Sequence, residues 1–189
     1  MLVAASVVCG FWWFRSSAKR VGFPEVPKSE LVLQDGRLCR AGHTEPFSGT
    51  MVEFHRDGSL RSRSRTSQGL LHGVSEGWYT NGQLEVREHF RDGVSHGLRI
   101  KWYATGTNLS KVMVVEGKLQ GTFQRWHENG VLAEQIELRD GNPEGESRAY
   151  YPSGLLKAQA RLRSGKLVEQ KSWKDGESPP LQGIAMGAN

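Results

Sequence analysis

Three columns of glycine recur through this chain at an interval of 24 residues. Gly49, Gly73, Gly97, Gly121 and Gly145 form the first column, and Gly58, Gly82, Gly106, Gly130 and Gly154 the second. Gly69, Gly93, Gly117, Gly141 and Gly165 form the third. A registered period of this kind marks a repeat architecture and argues against a fold wound around one central core. Five residues after the first column stands an unbroken aromatic column of Phe54, Trp78, Trp102, Trp126 and Tyr150. The next position holds His55, Tyr79, Tyr103, His127 and Tyr151. Five tandem units therefore occupy residues 49–168. Glu169 sits where a sixth glycine is due, so 169–189 reads as a degenerate repeat and tail.

Each unit reads as a β-hairpin. The second-column glycines follow Asp57, Asn81, Thr105, Asn129 or Ser153. Asp-Gly and Asn-Gly suit a type I′ turn, which needs positive φ at both central residues, so that turn is expected here. The following arm alternates: Leu84, Val86 and Phe90 share one side in the second unit, with Glu88 an exception among them. Leu132, Ile136 and Leu138 do so in the fourth unit, and Leu156, Ala158, Ala160 and Leu162 in the fifth. Period two with one apolar side is the pattern of a half-buried strand. In the third unit Leu109 falls one place late, which predicts a local bulge there. A lone hairpin is marginal in water, so the units must stack. Two strands per unit at ~4.8 Å give about 10 Å per repeat. The expected fold is all-β: tandem 24-residue hairpins forming an elongated open sheet or solenoid.

Composition agrees with this and removes several classes of function. Glycine supplies 23 of 189 residues, and the fifteen in columns need no phosphate loop to explain them. Two cysteines cannot staple a disulfide scaffold or build a four-cysteine zinc site. The net charge of +5 is spread out: residues 1–46 carry 6 basic against 4 acidic groups, 47–169 carry 17 against 14, and 170–189 carry 2 against 2. No segment is a polybasic arm, so no nucleic-acid partner is expected.

Residues 1–18 open with MLVAASVVCGFWWF, the one strongly apolar run, and Arg15, Lys19 and Arg20 follow it. As a helix it would cover about 20 Å, short of a ~30 Å hydrocarbon core. It reads as a signal or anchor segment, with Ser16-Ser17-Ala18 a passable cleavage site. Lipidation at Cys9 and a buried capping strand are the other readings. A cell-envelope location, anchored or exported, is the expectation, and a cytoplasmic one the alternative. Residues 19–30 read as a Pro-marked linker, and 31–48 as a short β cap turning at Asp35-Gly36.

Reactive chemistry is harder to find. His72 and His96 precede first-column glycines and read as link residues, while His55 and His127 stand in for Tyr. There is no HExxH, no calcium-loop spacing, no GxxxxGK[ST], and no motif around Cys39. The expectation is therefore no catalytic residue, no metal and no cofactor. The best candidate for partner binding is electropositive: Arg61, Arg63 and Arg65 alternate in LRSRSRT, which a regular strand would place on one side. Arg63, Arg87 and Lys111 share one repeat position. The opposing view is a solvated outer face with opposite charges nearby. Trp78, Trp102 and Trp126 similarly read either as a stacking platform or, preferably, as the apolar spine on which hairpins pack.

Two segments carry a resemblance. HGVSEGWYTNGQLEVREHFRDG and HENGVLAEQIELRDGNPEGE resemble variant MORN repeats. Together with PFSGTMVEFHRDGSL they are similar to the bacterial YwqK-like antitoxin family, over roughly residues 31–176. The resemblance implies a non-enzymatic protein-binding repeat protein, in its specific form an antitoxin- or immunity-like protein that occludes a partner toxin. The alternative is a membrane-associated MORN-type scaffold on anionic lipid headgroups, held partly through the N-terminus.

Overall fold

The computed structural model describes residues 24–177. The apolar segment at 1–18, with its signal or anchor reading, lies outside the described residues, as does the tail from 178. The chain opens with β1 (Glu25–Pro27), a 3-10 turn at Lys28–Glu30, and the hairpin β2 (Leu31–Gln34) and β3 (Arg37–Arg40). The first two units contain β4 (Gly49–Phe54), β5 (Leu60–Ser67), β6 (Leu70–Trp78) and β7 (Leu84–Arg91). The short β8 (Val94–Ser95) leads into β9 (Gly97–Trp102), β10 (Asn108–Val115), β11 (Lys118–Trp126) and β12 (Leu132–Arg139). β13 (Asn142–Tyr150), β14 (Leu156–Arg163) and β15 (Lys166–Ser172) complete it.

Thirteen of these strands form one open sheet, in the order β1-β4-β5-β6-β7-β9-β10-β11-β12-β13-β14-β15 with β8 beside β7. All its pairings are antiparallel except β1 on β4. The all-β array of stacked hairpins expected from the glycine columns is what the chain builds. At ~4.8 Å per strand the sheet is about 50 Å across its strands.

The second-column turns are not the type I′ turns expected there. At Asp57-Gly58, Asn81-Gly82 and their equivalents only the glycine has positive φ. Gly82 N–H donates to Tyr79 O at 2.9 Å and Tyr79 N–H to Gln83 O at 2.9 Å, a type I turn closed by a left-handed glycine. The Asn is there for its side chain. Asn81 Oδ1 accepts from Gln83 N–H at 3.0 Å, and its Nδ2 donates to Ala104 O, one unit on, at 2.8 Å. The type I′ turns lie instead at the third column, where both residues are left-handed, as in Asp92 (φ 50) and Gly93 (φ 83).

The bulge expected in the third unit is present, with Leu109 the unpaired residue between Asn108↔Trp102 and Ser110↔Lys101. It is not particular to that unit. The same register shift leaves Arg61, Glu85, Ala133 and Lys157 unpaired in the other four. Only the type of side chain differs, and this made the third unit look displaced.

The inward side of the sheet follows the predicted alternation only beyond the bulges: Leu84, Leu132 and Leu156 stand opposite Trp78, Trp126 and Tyr150, so the extra residue after each moves these three leucines to the other side from the apolar residues that follow them. Val112, Val114 and Thr66 are buried, and Val86, Phe90, Ile136, Leu138, Ala158, Ala160 and Leu162 are half-buried. Glu88, the exception, is held on that side by Arg99, whose Nε donates at 2.9 Å, and by Ser95 Oγ at 2.5 Å.

The N-terminal end has a small core of its own. Val26, Leu31 and Phe47 are buried together, with Leu38 and Met51 against them. The segment read as a linker is thus structured from Glu25 onward. Val26 is 2% exposed and β1 runs parallel to β4, covering the sheet edge. The β2–β3 cap, whose own Asp35-Gly36 turn is also left-handed at both residues, docks on the Gln68-Gly69 turn, with Leu38 N–H donating to Gly69 O at 2.9 Å.

Candidate binding surface

Two hydrogen-bond ladders fix the surface. The first uses the second aromatic column. Tyr79, Tyr103 and Tyr151 donate their hydroxyls to the carbonyls of Trp102, Trp126 and Trp173, each at 2.9 Å. His55 Nε2–H and His127 Nε2–H do the same to Trp78 O and Tyr150 O, also at 2.9 Å. The histidines therefore replace Tyr in geometry as well as in register, and carry a proton at Nε2. Burial pushes the Tyr79 phenol above its usual pKa, with Glu85 and Tyr103 adding to the effect. The ladder extends to Trp173, so the sixth half-unit is built even though Glu169 replaces its glycine. Its strand is one residue shorter: Trp173 follows Gly165 by eight places, where Tyr150 follows Gly141 by nine.

The second ladder runs through the type I′ turns. Gly93, Gly117, Gly141 and Gly165 donate N–H to Leu71, Ser95, Leu119 and Pro143 carbonyls at 2.8, 2.9, 2.9 and 2.9 Å. Every unit is thus tied to the next at both ends of its strands. The Trp column is half-buried between them, which favours the spine reading; Phe54, at the start of the column, is exposed. It borders an open hollow with Pro27, Lys28, Ser29, Val52 and Glu53.

The face away from the apolar side carries the basic residues. Cross-strand pairing defines one row over it: Val52, Arg63, Glu76, Arg87, Ile100, Lys111, Gln124, Gln135, Arg148, Gln159 and Lys171. Arg63, Arg87 and Lys111 do share this row, but they do not stack directly. Each hairpin contributes two strands, so Glu76 and Ile100 stand between them. Glu76 accepts from Arg87 at 2.8 Å, and Arg63 pairs with Glu25 at the sheet edge. Arg65 lies beside Gly73, where a Cβ would stand 3.5 Å from Arg65 Cδ.

Arg61 departs from the expected trio. It is the extra residue of the first bulge, and its guanidinium lies 3.6 Å from Glu53. Glu53 pairs with Ser62 while Val52 pairs with Arg63, so Glu53 belongs to the opposite side of the sheet. The bulge draws Arg61 away from Arg63 and Arg65. The partners that sequence reasoning missed are Glu25, Glu53 and Glu76. Of these only Glu76 was accessible in advance, by writing out the hairpin register.

What remains is a long, gently charged face with ion pairs already made, suited to many shallow contacts. Among the described residues no three His, Cys, Asp or Glu side chains gather as metal ligands, and no helix is long and apolar enough to cross a membrane. No curated protein matches the chain. The family model described as MORN repeat variant matches residues 71–92 and 119–140, whose starts lie 48 residues apart, twice the period of the glycine columns. Those two stretches each span the return from one type I′ turn to the next, and it is these two stretches that are similar to MORN-variant repeats.

Proposed function

We propose that the chain is a non-enzymatic binding repeat protein whose ligand is another protein, met along the face that carries Arg63, Arg65, Arg87 and Lys111. The observation that supports this is the cross-strand row itself. Arg63 and Arg87 already hold carboxylates, and Ile100 lies between Arg87 and Lys111. A mosaic of paired charge and apolar side chains fits a protein surface, where charges give orientation and specificity. Anionic lipid headgroups are better served by unpaired lysine and arginine. The specific form of this reading is an antitoxin- or immunity-like protein that covers a toxin; its support is the sequence likeness of the repeat segments.

The test is affinity capture with the intact chain and with an Arg63→Ser/Arg65→Ser/Arg87→Ser variant, at low and moderate salt. A single stoichiometric protein held by the parent at moderate salt and released from the variant is the expected result. Equal retention by both would remove this face from binding. Retention of acidic vesicles alone, lost as salt rises, would replace the protein ligand with a membrane surface.

A further inference from the structure

The two ends of the sheet are treated differently. β1 covers β4 at one end, whereas among the described residues β15 pairs with β14 alone. Its side chains are exposed along the whole strand, Leu167 and Val168 among them. An uncovered edge strand is a template for another strand, and its side chains select which one.

The hydrogen-bond phase of β15 is determined. Trp173 N–H donates to Lys157 O at 3.0 Å, and Gln159 and Arg161 lie opposite Lys171 and Glu169. Bonded and non-bonded pairs alternate in an antiparallel ladder. The main chain of Glu169 and Lys171 therefore turns toward β14, and that of Gln170 and Ser172 turns outward to the open edge. Two copies of β15 meeting about a two-fold axis must set outward residues opposite outward residues. The axis then passes through a residue and not between two.

Charge selects among these registers. An axis at Glu169 sets that carboxylate against its own copy, and an axis at Lys171 does the same for the ammonium. An axis at Gln170 sets Glu169 of each copy opposite Lys171 of the other. The rows inside the sheet continue in phase: Glu146, Arg161 and Glu169 lie in one row, and Arg148, Gln159 and Lys171 in the next. Across the axis the first row goes on to Lys171 of the second copy, so acid and base keep alternating from Glu146 outward. A lone Lys on an edge strand discourages pairing. Lys171 with Glu169 two places away permits one pairing, with itself.

We propose that β15 is a self-association edge: a second copy of this chain adds its own β15, antiparallel, about a two-fold axis at Gln170, joining two sheets into one. The experiment is sedimentation equilibrium of the full chain from about 1 to 100 μM, with Glu169→Lys, Lys171→Glu and the double exchange. The parent is expected to dimerise. Each single variant, which makes both cross-strand pairs like-charged, is expected to weaken self-association at least about tenfold. An equimolar mixture of the two single variants is expected to form a heterodimer, and the double exchange to restore the homodimer. Both side chains are exposed, 59% for Glu169 and 68% for Lys171, so the variants keep the fold, which circular dichroism checks. A parent that stays monomeric overturns the proposal, as does association that all the variants share unchanged. Removal of residues 178–189 adds a further arm. Should a monomeric chain become dimeric without them, its own tail is the occupant of this edge.

Discussion

The aromatic ladder makes a quantitative prediction. Tyr103→Phe keeps the ring and removes only the hydroxyl that donates to Trp126 O at 2.9 Å. The net loss of one hydrogen bond is about 0.5–1.5 kcal/mol, and an acceptor left dry adds more. The site is part-buried, so water can partly replace the donor, and a total of about 1–2 kcal/mol follows. For a chain of this size that lowers Tm by about 2–8 °C. The location of the loss is more telling than its size. The rung joins the third unit to the fourth, where His127 N–H donates to Val131 O and Gly130 N–H to His127 O. Amide hydrogen exchange at His127 and Gly130 should quicken about 5–30-fold. His55 and Gly58, in the first unit, should exchange as before. Tyr79→Phe should move the same effect one unit back, and the two should add, since the rungs stand about 10 Å apart. Equal acceleration at both ends of the sheet, or a loss below about 0.3 kcal/mol, would refute the claim that rungs couple neighbours locally.

Three more perturbations test other parts of the construction. Gly49→Ala should dislodge the N-terminal cap, because its Cβ would stand 2.5 Å from Phe47 Cζ and 2.6 Å from Pro24 O; a loss of about 1–3 kcal/mol, with faster exchange at Leu38 and Phe47, is expected by hydrogen exchange and thermal melts. Glu116→Asn should stabilise the chain by about 0.5–1 kcal/mol, since Glu116 sits at φ 49 in a type I′ turn that Asn tolerates better; an unchanged or lower Tm would contradict the turn assignment. The side chain and backbone of Ser59 hold the Asp57 carboxyl below its ordinary 3.8. Its contribution is therefore present above that value and lost as pH falls through the lowered folded pKa. Ser59→Ala should raise the Asp57 pKa toward 3.8, read by carbon-detected NMR titration.

The period was legible because it is written in residues that have few substitutes. Glycines with positive φ and an aromatic ring every 24 residues survive as columns whatever lies between. The second-column turns read as type I′ because Asn-Gly and Asp-Gly suit both that turn and a type I turn closed by a left-handed glycine. Asn81 is chosen for its side-chain bonds to Gln83 and Ala104, whereas Gln68 and Glu116 take left-handed φ without looking like turn residues. The strand β1 escaped notice because Pro24 and Pro27 punctuate it and the strand it pairs with, β4, starts 24 residues after Glu25. The electropositive column looked stronger than it is, since residues 24 apart are two strands apart in space. Arg61 was misplaced for a simpler reason: alternation fails by one at a bulge, and nothing in LRSRSRT shows the bulge.

The two ladders also bear on how such a chain changes over generations. Each rung of both ladders runs from one unit to its successor. Duplicating or deleting 24 residues in frame therefore adds or removes one rung at each end of the strands and leaves every remaining donor with an acceptor. The length of the face can be altered in steps of about 10 Å by a copying error alone, with no new core to invent. The ends cannot be treated so freely, because among the described residues the β1 strap and the shortened β15 each occur once.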